Sequence, residues 1–146
     1  MDKIDIDIQL ESDHDNIPTE KNLIAWAKLA LERDAAEITI RIVDDEESSY
    51  LNKHYRNKSG PTNVLSFPLK IPFDNKLHGD IVICAPLISK EATSQNKLVQ
   101  HHWAHITIHG ILHLQGYDHI QQSDAKIMEQ REITILSTLG IPNPYD

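Results

Sequence analysis

One cysteine, Cys84, is the whole thiol content of the sequence. An intrachain disulfide is excluded, and the lone thiol fits a reducing compartment. No uncharged apolar run approaches the ~20 residues of a membrane span, and no charged, then apolar, then small-residue leader opens the chain. The expectation is a soluble, cytoplasmic protein without membrane contact. Basic residues are also scarce, 14 against 22 acidic ones, for a formal net charge of −8. That is the wrong sign for gripping nucleic acid by bulk attraction to phosphate, so any such role must be confined to one patch. Internal repeats, low-complexity tracts and linkers are missing too. At 146 residues the chain has the size of one domain and can bury a core without covalent staples.

Periodicity supplies the elements. Ile4, Ile6, Ile8 and Leu10 alternate with polar residues, the pattern of a strand with one buried face, and Ile38, Ile40 and Ile42 repeat it. Between them Leu23, Trp26, Ala27, Ala30 and Leu31 recur at helical spacing from Pro18 to Arg33, with Pro18 suited to the first turn. The acidic run Asp44 to Glu47 suits the start of a short helix reaching Tyr55, by complementing the helix dipole. After the turn-rich stretch Asn57 to Pro61, Val64, Leu65 and Phe67 form a brief strand that Pro68 marks as an edge or an end. Leu69 to His78 reads as a loop, and Ile81-Val82-Ile83-Cys84 as a strand buried on both faces. Pro86 opens a helical region, a second helix runs to Gly116, and Ser123 caps a last helix that Gly140 ends. This order predicts a single α/β (α+β) domain over residues 1–146, a small mixed sheet of about four strands packed with helices.

Chemistry enters with histidine. Six of the nine histidines fall between His101 and His119. His109, His113 and His119 stand at the spacing H-x3-H-x5-H. Residues four apart share a helix face, so the first two address one point, and Gly116 lets the chain turn His119 back toward it. Three neutral imidazoles suit zinc, one ion per chain, with a fourth position open as in a catalytic site. His101, His102 and His105 have no third ligand turned back toward them and are expected on a solvated or partly packed face, while His78, before a glycine, is a candidate pocket residue. Metzincin proteases share the intervals but carry a glutamate base after the first histidine. Here that position is Gly110, which argues against peptide hydrolysis.

The segment His109-Gly110-Ile111-Leu112-His113-Leu114-Gln115-Gly116-Tyr117-Asp118-His119 resembles the signature of the YbeY family, bacterial endoribonucleases of rRNA maturation. The likeness continues through Asn52, Tyr55 and Arg56, Pro61 to Pro68, Gly79 to Cys84, Met128-Glu129 with Glu132, and Leu139-Gly140. What the resemblance implies is a metal site at His109, His113 and His119 and a functional, catalytic Arg56, whose guanidinium suits bidentate grip on a phosphate. It implies single-stranded RNA as substrate, precursor 16S rRNA matured at its 3′ end, ribosome quality control, and the small ribosomal subunit with its proteins as partner, with no DNA. The family usually carries aspartate where this chain has Asn63, which removes a negative charge near the site and keeps hydrogen bonding. Glu132 falls on the apolar stripe of Met128, Ile135, Leu136 and Leu139, where a carboxylate needs a partner. That partner is either a zinc-bound histidine or arginine, or a helix-end salt bridge. Asp118 reads as a turn residue.

Three functions stay in competition: a zinc-dependent single-strand endoribonuclease, with Lys53 and Lys58 helping Arg56 to make a positive cleft; a metal-dependent hydrolase of another substrate; and a non-catalytic ribosome assembly factor. For the first, the missing carboxylate at Gly110 favours attack by the RNA 2′-hydroxyl over attack by an activated water.

Overall fold

The computed structural model describes residues 3–72, 74–117 and 121–146. Its elements are β1 (Ile4–Leu10), α1 (Glu20–Ala30), β2 (Ala36–Val43), α2 (Asp45–Arg56), β3 (Val64–Leu69), β4 (Leu77–Cys84), α3 (Ala85–Ser94), α4 (Val99–Leu114) and α5 (Gln122–Thr138). The strands form one mixed sheet in the order β1-β2-β4-β3. β1, β2 and β4 run parallel, and β3 pairs antiparallel to β4 along the edge. The expected single α/β domain with four strands is what the chain forms.

Local differences from the periodic reading have local causes. Thr19 caps α1, its hydroxyl accepting from the Asn22 amide at 3.2 Å, so Pro18 precedes the helix instead of opening it. In α5 the Gln121 carbonyl already accepts the first helical bond, from Ala125 at 2.8 Å, which makes Gln121 the cap and leaves Ser123 inside the first turn. Pairing of β3 with β4 continues through Pro68↔Gly79 and Leu69↔His78, so Leu69, Leu77 and His78 are strand and not loop. Proline is tolerated there because β3 has a neighbour on one side only. Leu10 ends exposed at the far edge of β1.

The sheet carries its main core on one face. Ile38, Ile40, Ile42, Ile81 and Ile83 meet Leu23, Trp26 and Ala27 of α1 and the buried side of α4. The other face holds a smaller cluster, Val43, Leu65 and Val82, under Leu51 of α2 and Phe67. Helix α4 is the pivot: Trp103, Ile108, Ile111 and Leu112 are fully buried, each worth roughly 1.5–3 kcal/mol. Two glycines set how closely it approaches the sheet. A Cβ on Gly79 would stand 2.5 Å from a methyl of Leu114, and one on Gly110 would stand 3.1 Å from Val64 and 3.3 Å from Ile81. Helix α4 therefore presses Gly110 against β3 and β4, and the flanking turns bring His109 and His113 to the β3 edge.

Candidate functional site

A cleft of about 690 Å³ opens between the end of α2, the start of β3 and the last turns of α4, lined by Tyr55, Arg56, Thr62, Asn63, Val64, Leu65, Ser66, Phe67, His109 and His113. In a chain with 22 acidic residues, no carboxylate is among these lining side chains.

Short polar links hold its walls in position. Helix α2 ends on Asn57 in the left-handed conformation, and the Lys58 amide returns to the Asn52 carbonyl. Buried Asn52 donates to the Gly60 carbonyl at 2.9 Å, while buried Ser48 donates to the Thr62 carbonyl at 2.9 Å and accepts from its amide. These bonds fold residues 57–63 back along α2 and fix Arg56 at the cleft mouth. The Tyr55 ring meets Phe67 edge-on, centroids 5.1 Å apart, joining α2 to β3. From β3, the Ser66 hydroxyl donates to the Gly110 carbonyl at 3.1 Å, tying that strand to the histidine helix.

Behind the histidines lies a network of which the sequence reading had Glu132 but missed His105 and Tyr145. Glu132 is 0% exposed. One of its oxygens, Oε1, accepts from His105 Nε2 and from the Tyr145 hydroxyl, both at 2.6 Å, and Oε2 meets His109 Nδ1 at 3.0 Å. Burial pushes its pKa up, but the hydrogen bonds from His105, His109 and Tyr145 outweigh burial and hold it at about 2. An ionised carboxylate only accepts, so Nδ1 of His109 carries the proton toward Glu132. Of the two roles open to Glu132, the structure gives it that of partner to His109. Burial lowers the pKa of His105 against the pull of Glu132.

A second carboxylate holds another histidine of α4. Glu91 accepts from His102 Nε2 at 2.8 Å and from the Asn63 amide at 3.2 Å. Burial raises its pKa, and these bonds outweigh burial and hold it below the usual carboxylate range. The amide of Asn63 is thus the donor that Glu91 needs, where an aspartate would add a second negative charge. His102 and His105 are 3% and 8% exposed, more deeply buried than the solvated or partly packed face expected of them. The missing signal was their setting: α4 is apolar almost all round, so histidines on it must find buried partners. His78 lines a separate hollow and is held by Asp74 at 2.8 Å and Glu37 at 3.4 Å.

The structure places His109, His113 and Arg56 on one cleft. His119 and Asp118 lie outside the described residues. Among the described residues, no group of three or more metal-binding side chains is assembled. The donors that are placed do suit a borderline divalent ion, being two imidazoles one turn apart, one with its tautomer set by a buried carboxylate.

Fold and cleft together define a class, a small α/β protein whose cleft brings an arginine together with two histidines one helical turn apart. Comparison with known proteins narrows it. The family model for Endoribonuclease YbeY matches residues 7–140. A Methylococcus capsulatus protein named Endoribonuclease YbeY is 56% identical over 88% of this chain and 87% of its own. A Coxiella burnetii protein of the same name is 47% identical over 98% and 99%. The chain belongs to the YbeY family. The solution structure of the Thermotoga maritima protein TM1509 has the same fold, with a TM-score of 0.59 and 27% identity over 90% of this chain and 87% of that one.

Proposed function

We propose that the chain is a zinc-dependent endoribonuclease of single-stranded RNA, one metal-dependent domain working in the cytoplasm on precursor 16S rRNA at the small ribosomal subunit. The observation that carries this reading is the convergence of His109, His113 and Arg56 on a cleft whose described lining holds no carboxylate. It reconciles an acidic chain with a polyanionic substrate, because attraction is needed only where the phosphate sits. The names of the relatives support the same activity.

His109, His113 and His119 would hold the zinc, which when bound supplies Lewis-acid stabilisation of charge on a phosphoryl oxygen. Glu132 keeps the proton on His109 Nδ1, so that Nε2 is the nitrogen that would ligate the metal. Arg56 grips the phosphate through two parallel N–H bonds and offsets the charge that develops on it. Tyr55 and Phe67 wall the cleft beside it. The nucleophile is the RNA's own 2′-hydroxyl, adjacent to phosphorus and favoured by proximity. Its oxygen bonds to phosphorus, the bond to the 5′-oxygen breaks, and the proton lost from one oxygen is matched by the proton gained on the other. The products are a cyclic phosphate and a 5′-hydroxyl. Gly110 gives no help to the peptidase alternative, since a side chain there would press on Val64 at 3.1 Å and Ile81 at 3.3 Å.

The test compares labelled single-stranded RNA and immature small subunits as substrates for zinc-loaded wild type and Arg56→Ala. Cleavage of either by wild type and its loss in the variant are expected. A wild-type protein that cuts neither refutes the proposal.

A further inference from the structure

The exposed side of α2 carries more aromatic surface than folding explains. Its buried residues are Ser48 and Asn52, with Leu51 half-buried against the sheet. Tyr50 and Tyr55 stand outside that interface, 65% and 61% exposed, in a chain with only eight Phe, Trp and Tyr residues. The rings are not scattered. From Phe67 in the cleft the next ring is Tyr55 at 5.1 Å, then His54 at 4.7 Å, then Tyr50 at 5.8 Å, the last two within 6° of parallel. Tyr55 lines the cleft, and Tyr50 and His54 line a shallow hollow with Lys53 on the outer side of α2. One unbroken row of rings leads out of the site, its first two contacts edge-to-face and its last parallel.

The charges along it have a direction. Lys53, Arg56 and Lys58 accompany the row at the end of α2, while Asp45, Glu46 and Glu47 occupy the helix's first turn, with Glu46 one turn before Tyr50. A polyanion is therefore welcome from Phe67 as far as Tyr50 and repelled beyond. Exposed aromatic faces beside cations are the combination that holds single-stranded nucleic acid, because every base has a face to stack and every phosphate needs a counter-charge.

We propose that Tyr55, His54 and Tyr50 form a stacking track for unpaired bases of the RNA strand leaving the cleft, with Lys53 and Lys58 beside its backbone. The proposal rests on the endoribonuclease reading and adds to it a site for at least two bases outside the cleaved linkage. It also gives this chain a reason to take unpaired RNA, since bases in a duplex have no free faces to offer.

The experiment uses the full-length zinc-loaded protein and two synthetic RNAs, a short one that fills the cleft alone and an extended one, the latter also made with abasic sugars in the extension. Binding is read by fluorescence anisotropy and cutting by gel. Wild type should bind the extended RNA at least roughly five-fold more tightly than the short one. The Tyr50→Ala/His54→Ala variant should lose that advantage and keep the wild-type rate at saturating RNA, and Tyr50→Phe should retain the advantage because stacking does not need the hydroxyl. Abasic sugars should abolish the advantage for wild type. A double variant with wild-type affinity for the extended RNA overturns the track while leaving the endoribonuclease reading intact, as does an advantage that survives the abasic sugars. Loss of binding to ribosomal proteins with RNA affinity unchanged would assign the row to a protein partner and also overturn it. A wild type that neither binds nor cuts either RNA overturns both readings.

Discussion

Replacing Glu132 by glutamine keeps the shape of a fully buried side chain and removes its charge. The carboxylate accepts three hydrogen bonds, from His105, Tyr145 and His109. An amide has one oxygen and one NH2, so whichever way it turns, the NH2 faces a donor. Turned toward Oε1's place it meets the His105 N–H and the Tyr145 hydroxyl. Turned the other way it meets the Nδ1 proton of His109, which can accept from it only by moving its own proton to Nε2. That tautomer cannot ligate a metal. The size of the loss follows from the carboxyl's own equilibrium. Held at about 2 against an ordinary 4.5, it marks the native environment as favouring the charged form by about 3 kcal/mol. Glu132→Gln should therefore lower stability by about that amount, a fall in melting temperature of roughly 6–12 °C. Zinc affinity should drop roughly 10- to 100-fold, as for other losses of a group that orients a ligand. Thermal unfolding and competition against a chromophoric chelator measure the two effects at neutral pH. A variant that melts within a degree of wild type and holds zinc as tightly would refute the reasoning.

Glu91 gives a pH dependence. Its folded pKa is depressed, so the stability it contributes is complete above the ordinary carboxylate range near pH 4.5 and is lost as pH falls below it. Urea midpoints of wild type and Glu91→Gln should converge from pH 5 toward pH 3, and parallel curves would contradict this assignment. Introducing the metzincin base by Gly110→Glu should cost about 1–3 kcal/mol through overpacking against Val64 and Ile81 and confer no peptidase activity, as melting and a fluorogenic peptide would report. An RNA with a single 2′-deoxy sugar at the cleaved linkage should resist cutting, and normal RNA should yield a cyclic phosphate. Unimpaired cutting of the deoxy substrate would make water the nucleophile.

What the sequence made legible were the features fixed by neighbours along the chain. The four strands and five helices came from periodicity, and the shared face of His109 and His113 from the four-residue interval. Boundaries shifted where a single side chain decided them, as Thr19 does for α1. Long-range partners were hidden. His102 and His105 find their carboxylates on α3 and α5, 11 and 27 residues away, and Tyr145 reaches Glu132 from the C-terminal segment. Nothing local announces such pairs, beyond the rule that a polar group on a buried helix must have one. Glu132 itself was readable as a charge on an apolar stripe, because that cost demands a partner. Arg56 had no signal of its own. Its position depends on the turn at Asn57 and on the bonds of Ser48 and Asn52, and only the family resemblance pointed to it.

The most direct test is single-turnover cleavage of one labelled single-stranded RNA by zinc-loaded wild type, His113→Ala and Arg56→Ala, with melting temperatures taken on the same samples. The account predicts that wild type cuts, and that each variant stays folded and loses at least roughly 100-fold in rate, since each removes a group that stabilises developing charge. Folded variants that cut at the wild-type rate would contradict it.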